Sequence, residues 1–328
     1  MSDHQRFVLS RSIIDNFPGF KGVTLEDVRS MLAKYEHFTT ERLRENLAAF
    51  AGNKNFRLIE GDIRDMDTCR NAVQGAEYVL HQAALGSVPR SVKDPMTTTA
   101  VNILGFVNML YAAQESKVKR FVYAASSSTY GDSQTLPKQE DVIGKPLSPY
   151  AITKYVDELY AGNFHDLYGI DCIGLRYFNV FGRRQDPFGA YAAVIPRFVL
   201  NLMKHEKVVI NGDGSYSRDF TYIDNVLLAN ELALTVEDDA ALNTVYNVAC
   251  GERTDLNGLF EYLKDALSEF DPAIKKASAE HGAPRAGDIP HSLASIEKAG
   301  RLLGYKPLYD VRSGLQAACK WYVENLEF

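Results

Sequence analysis

Ala124-Ala125-Ser126-Ser127-Ser128-Thr129-Tyr130-Gly131-Asp132, followed by Ser148-Pro149-Tyr150-Ala151-Ile152-Thr153-Lys154, is the pair of stretches on which the fold turns. Residues 120–125 (RFVYAA) predict a strand that ends in a row of hydroxyls. Ser148-Pro149 predicts a helix start, and apolar residues at Ile152, Val156, Leu159 and Tyr160 continue it to a stop at Gly169. Outward from this unit the alternation repeats. Residues 56–60 (FRLIE), 78–82 (YVLHQ) and 172–177 (CIGLRY) read as strands, and Asp94-Pro95 opens a helix through Val101, Leu104, Val107 and Leu110. Strands of about five residues joined by helices of about 15 to 20 are what right-handed crossovers require, so the expectation is an α/β fold on a parallel sheet. After residue 177 the connections lengthen at 182–189, 212–217 and 284–290. Residues 220–234 still read as a helix and 245–249 as a strand. The expected division is 1–176 plus 217–249 as the sheet unit, and 177–216 plus 250–328 as a smaller lobe.

Composition narrows the function classes. The chain has 328 residues, 46% hydrophobic and 24% charged, with 36 Lys+Arg against 42 Asp+Glu and a net charge of −6. A mildly acidic chain without a basic run argues against nucleic acid or anionic lipid as partner. Cys69, Cys172, Cys250 and Cys319 are scattered, with neither zinc-ligand spacing nor a disulfide framework. No apolar run of 18 residues is legible, and MSDHQRFVLSR lacks the apolar segment of a signal peptide. The expectation is a cytoplasmic protein without a membrane partner or a metal.

The chemistry begins with Tyr150 and Lys154, four residues apart and so on one helix face. A cation beside a phenol favours phenolate, which makes a tyrosine usable as a base near neutral pH. Among 18 tyrosines, roughly one such spacing arises by chance, and a surface pair is the plain alternative. Ser126, 24 residues upstream, changes that weighting: it falls at the carboxyl end of a parallel strand, where α/β sheets bind ligands. This Ser/Tyr/Lys set resembles the short-chain dehydrogenase/reductase superfamily. Gly61-Asp62-Ile63-Arg64-Asp65, His81-Gln82-Ala83-Ala84, Asn102, Arg176-Tyr177-Phe178-Asn179-Val180-Phe181-Gly182, Arg218-Asp219-Phe220 and Arg285-Ala286-Gly287-Asp288 resemble its extended, nucleotide-sugar-modifying branch. From about Asp15 onward the chain is most similar to bacterial UDP-N-acetylglucosamine 4-epimerases of surface-polysaccharide synthesis.

The resemblance implies a Rossmann-type doubly wound sheet, NAD as cofactor and a UDP-sugar as substrate. In it, Tyr150 takes the proton from the sugar O4, Lys154 holds the nicotinamide ribose, and Ser126 with Ser127 meets the sugar. Asp15 and Asn16 are matched to the adenosine ribose and Asp62 and Ile63 to the adenine. Ala83, Ala84, Leu85 and Asn102 are matched to the cofactor's middle, and Phe178 to the nicotinamide. Asn179, Arg218 and Arg285 meet the diphosphate, since Arg forks onto phosphate oxygens. Gly86, Ser87 and Gln185 line the sugar pocket. Ser292 stands where epimerases of unacetylated sugars carry Tyr, which leaves room for an N-acetyl group. The stretch 126–129 lacks the acid pair of the related dehydratases, so dehydration is disfavoured. The resemblance also implies a homodimer joined through the 95–116 and 148–165 helices.

One element of the family's pattern is not legible: the strand and G-x-x-G-x-x-G turn that cradle the pyrophosphate. Matching Asp15-Asn16-Phe17 to the region after strand two, which Ile13-Ile14 would end, leaves the first strand, the loop and the first helix missing, about 25 to 30 residues. Residues 7–9 are expected to fill part of that gap, and the loss to weaken NAD binding. Residues 39–52 read as an added amphipathic helix. The alternative reading is a catalytically impaired or dead UDP-sugar-binding paralogue.

Overall fold

The computed structural model of the chain describes residues 7–8, 23–24, 50, 53, 55–188, 192–284 and 289–326. Its centre is a four-stranded parallel sheet of β3 (Tyr78–His81), β4 (Arg120–Ser126), β5 (Cys172–Tyr177) and β6 (Thr244–Val248), in spatial order β6-β5-β4-β3. Two short strands, β1 (Phe7–Val8) and β2 (Val23–Thr24), pair in parallel, and β1 runs beside β3. The place next to β3 that the sequence assigned to a missing first strand is therefore held by Phe7–Val8.

Strand periodicity separates two cores. Leu80, Val122, Ile173, Leu175 and Tyr246 face one side of the sheet, and Val79, Phe121, Tyr123 and Cys172 face the other. Strands buried on both faces explain why these runs are apolar throughout instead of alternating. The second face is covered by α1 (Met66–Val73), α3 (Pro95–Glu115) and α4 (Pro149–Tyr168), with a short α2 (Val88–Lys93) beside α4. The first face meets α6 (Ile223–Thr235). It shares one apolar core with α5 (Val194–Met203), α7 (Leu256–Ser268) and α8 (Val311–Asn325). Phe198, Leu263 and Tyr322 of these helices belong to the same cluster as Leu80 and Val122, so the segments assigned to two units meet across one core.

Local chemistry sets the helix ends. Asp94 caps α3 by accepting from the Thr97 N–H at 3.0 Å, and Ser148 caps α4 by accepting from the Ala151 N–H at 3.1 Å. Gly169 closes α4 in the left-handed conformation, φ 71°.

Three expectations are corrected. Residues 56–60 carry one bridge, at Arg57, and no continuous strand, because apolar content makes a strand only where a neighbouring strand completes the ladder. The helix expected from residue 220 starts at Ile223, since Thr221–Tyr222 pairs with Val180–Phe181. α3 has 21 residues at mean hydropathy 1.2, long and apolar enough to cross a membrane by those two measures. Half of that window is buried in the protein, where α3 packs on α1, β3 and α4. The added helix at 39–52 lies, but for Phe50, outside the described residues.

Candidate active site

Ser126 ends β4, and its backbone stays extended while its side chain caps the following 3₁₀ turn, Ser127–Tyr130. The Ser126 Oγ accepts from the Ser128 N–H at 3.2 Å and from the Ser128 hydroxyl at 2.9 Å, which fixes it at the carboxyl end of the sheet. Gly131 closes this turn at φ +52°, where a Cβ would fall 1.9 Å from the Lys145 carbonyl oxygen; only glycine fits. Tyr150 stands in the first turn of α4, partly exposed. One turn on, Lys154 is buried: its Nζ donates to the Ala124 carbonyl at 2.9 Å and to Asp157 Oδ2 at 3.1 Å.

Asn102 fastens the site together. It lies in a π-helical turn, Ala100–Leu104, inside α3. Its side chain accepts from the Leu85 N–H at 2.7 Å and donates to the Leu85 carbonyl and to Thr153 Oγ1. Thr153 donates in turn to the Tyr150 carbonyl at 2.8 Å. One amide therefore ties the 83–85 segment after β3 to the helix that bears Tyr150 and Lys154. Widened turns of this kind recur at functional sites because they re-aim one side chain without ending the helix. Ser87, next along, caps α2 at φ 139°, a conformation that L-residues adopt at a cost of about 1–3 kcal/mol. Gly86 beside it has open space where a Cβ would stand.

Beyond β5, Phe178 is buried against Tyr130, ring centroids 5.9 Å apart. Asn179 adopts φ +33° and donates to the Asp219 carbonyl at 3.2 Å. A cavity of about 330 Å³ opens here, into which Asn179, Gln185 and Arg218 face together with Arg197, Asn211 and Tyr216. Gln185 Oε1 is buried with no hydrogen-bond partner among the described residues. Ser292 lies alongside, its N–H donating to the Ser217 carbonyl at 3.0 Å, next to Arg218.

Other expected residues sit differently or apart. Ile63 buries its side chain against Gly105 of α3, and Asp62 is engaged by the Arg64 guanidinium. Ala83 and Leu85 are buried, while Ala84 is partly exposed. Asp15, Asn16 and Arg285 lie outside the described residues.

Sequence reading missed three features. Arg176 makes a buried two-pronged ion pair with Glu158 of α4, at 2.8 and 2.7 Å, and lies under the Tyr130 ring. Burial pushes the Tyr130 phenol up to about 12. Asn247 accepts from the Tyr130 hydroxyl at 2.7 Å and donates to the Lys138 and Ser295 carbonyls. Asp157 was missed as the partner of Lys154, although its i+3 spacing is visible in the sequence. Burial, opposed by Lys154, pushes the Asp157 carboxyl up to about 7. Burial, aided by Lys154, drives His81 of β3 down to about 3, so it stays neutral.

The arrangement suits one end of a dinucleotide. Among the described residues, Lys154 spends two of its three N–H donors, which leaves one for a ribose hydroxyl. Ser126, Tyr150 and Phe178 belong to elements that converge at the carboxyl end of the parallel sheet. These residues fit a nicotinamide riboside.

Known proteins are similar to this chain in sequence and in fold. A putative UDP-glucose 4-epimerase of Methanocaldococcus jannaschii is 35% identical over 281 residues, covering 84% of this chain and 88% of the relative. A UDP-N-acetylglucosamine 4-epimerase from Methanobrevibacter ruminantium, solved with UDP-N-acetylmuramic acid, superposes with a TM-score of 0.86 at 33% identity, covering 99% of this chain and all of that one. The UDP-glucose 4-epimerase of Thermotoga maritima, solved with UDP-glucose, gives 0.83 at 31% identity, covering 98% and 100%. The NAD dependent epimerase/dehydratase family model matches residues 25–249, a span that holds the Ser126, Tyr150 and Lys154 set; the chain belongs to that family.

Proposed function

We propose that this chain is a UDP-sugar 4-epimerase whose substrates are UDP-N-acetylhexosamines, UDP-GlcNAc and UDP-GalNAc, serving surface-polysaccharide synthesis. The observation that carries the reading is the placement of Ser126, at the end of β4, and of Tyr150 and Lys154, in the first turns of α4, together with a cavity beyond β5 that holds Asn179, Gln185 and Arg218. NAD, when bound, supplies the acceptor for the C4 hydride and gives it back to the sugar. The chain's own residues do the rest. Tyr150 takes the O4 proton and later returns it, while Ser126 holds O4 in line with the phenol. Lys154 fixes the ribose side of the site through the N–H donor it has left. Asn179 and Arg218 suit a diphosphate, and the unpaired Gln185 Oε1 offers an acceptor to the nucleotide or sugar.

The N-acetyl preference rests on Ser292, a small half-buried residue beside Arg218. Four free cysteines support a reducing, cytoplasmic setting. The test is interconversion of UDP-GlcNAc and UDP-GalNAc by the purified chain with NAD⁺, followed by NMR. Tyr150→Phe is expected to lower kcat at least about 100-fold while UDP-GlcNAc binding by calorimetry stays within a few-fold. A Tyr150→Phe enzyme of undiminished rate overturns the reading.

A further inference from the structure

The α4 helix carries a buried ion pair at an electrostatically costly place. The side chains of Lys154 and Asp157 are 3% and 1% exposed, with Nζ and Oδ2 3.1 Å apart. Asp157 Oδ1 has no hydrogen-bond partner among the described residues. Replacing such a pair with apolar residues is often neutral or stabilising, so it is weak evidence for stability, and a half-satisfied carboxylate is weaker still. Lys154 lies one turn and Asp157 two turns along the same helix from Tyr150, which puts this cost near the reacting centre.

Among the described residues, the titratable neighbours of the pair come from three elements. On α4 itself Glu158 bears on Asp157, but its charge is committed to Arg176 of β5. From β4 comes the buried Tyr123 phenol, and burial raises it further out of the physiological range. From β3 comes His81, neutral at any working pH. The buried polar residues of α2 and α3, which pack on α4, are Ser91, Thr98 and Asn102, and none of them titrates. Asp157 is thus left as the group that decides whether the net charge beside Tyr150 is that of a lone ammonium or of a neutral pair.

We propose that Asp157 is a positioning residue for Lys154: it grips the ammonium against the Ala124 carbonyl, and its protonation state sets how much positive charge reaches the nicotinamide end of the site. This rests on the assignment of Tyr150 and Lys154 made above. Its consequence concerns the cofactor's redox form. The nicotinamide ring is cationic when oxidised and neutral when reduced, so an uncompensated ammonium disfavours NAD⁺ and leaves NADH nearly unaffected. With Asp157 ionised the two forms compete on even terms; with Asp157 neutral the site favours NADH. Because burial lifts this carboxyl to about 7, the preference changes across neutral pH, towards NADH as pH falls.

The test is calorimetric. The dissociation constants of NAD⁺ and NADH are measured for the wild-type chain and for Asp157→Asn from about pH 5.5 to 8.5. In the wild type, the ratio of NAD⁺ to NADH dissociation constants is expected to rise about fivefold from the alkaline to the acid end, the size of one charge a few ångströms away. Asp157→Asn keeps the shape and an acceptor for Nζ, and is expected to hold the acid-end ratio at every pH. A wild-type ratio that does not change with pH overturns the proposal without any variant. So does a variant whose ratio follows the wild-type slope. Binding of neither cofactor form overturns it too, and a wild-type chain that then also fails to interconvert UDP-GlcNAc and UDP-GalNAc marks the failure as that of the epimerase assignment.

Discussion

On the proposed reading, Ser292 bears on the choice of sugar by its size. It is half-buried, held by its N–H to the Ser217 carbonyl and so kept beside Arg218, which lines the nucleotide cavity. A phenol at this position would project bulk towards the space assigned to an N-acetyl group. Discrimination by steric exclusion of a few heavy atoms is worth about 10- to 200-fold. Ser292→Tyr is therefore expected to lose at least about tenfold in kcat/KM on UDP-GlcNAc and to keep its rate on UDP-glucose within a few-fold. Competition kinetics with the two sugars reads this directly. Equal loss on both would mean that the residue shapes the cavity wall and does not select the sugar.

At the level of the element, α4 converts a local cap into catalytic geometry. Tyr150 lies in its first turn, where fraying is easiest, and Ser148 supplies the cap that holds that turn. Ser148→Ala should cost about 1 kcal/mol in denaturant unfolding and, by loosening the first turn, lower kcat more than it raises KM. An unchanged kcat with the full stability loss would show that the Asn102–Thr153–Tyr150 chain of hydrogen bonds holds the turn unaided. This helix was legible in the sequence from the Ser-Pro start to the Gly169 stop, because cap chemistry is local. So was β4 with its hydroxyl row. What the sequence did not yield is non-local: Arg176 reads as part of a strand motif, and only the fold brings it to Glu158, 18 residues back, and under Tyr130. The π turn at Ala100–Leu104 escaped because it carries no composition of its own; Asn102 was found through the family pattern and not through the geometry that makes it useful. Residues 56–60 misled in the opposite sense, being apolar enough for a strand but without a long partner to complete one.

At the scale of the whole molecule, one apolar surface stands exposed among the described residues. α3 exposes Met96, Leu104 and Tyr111, spaced eight and seven residues apart, and α4 exposes Ile152, Leu159 and Leu167 at spacings of seven and eight. Repeats near two helical turns place each trio in one stripe, and α3 and α4 are packed neighbours. Two such stripes on adjacent helices suit a second copy of the same pair, giving a four-helix contact about a two-fold axis. We propose this as the homodimer interface. A carboxylate at its centre would be desolvated without a partner, at a cost of several kcal/mol per dimer. Leu159 is 55% exposed in the single chain, so Leu159→Asp should leave the fold and melting of the monomer nearly unchanged. Sedimentation velocity at about 10 μM is expected to show a dimer for the wild type and a monomer for Leu159→Asp, a rise in dissociation constant of at least about 100-fold. A wild-type chain that sediments as a monomer, or a variant that remains dimeric, would assign these stripes to some other contact. Because Tyr150 sits on the helix that bears one stripe, the monomeric variant also tests whether pairing steadies the catalytic turn: a drop in kcat together with dimer loss, at unchanged circular dichroism, would couple assembly to chemistry.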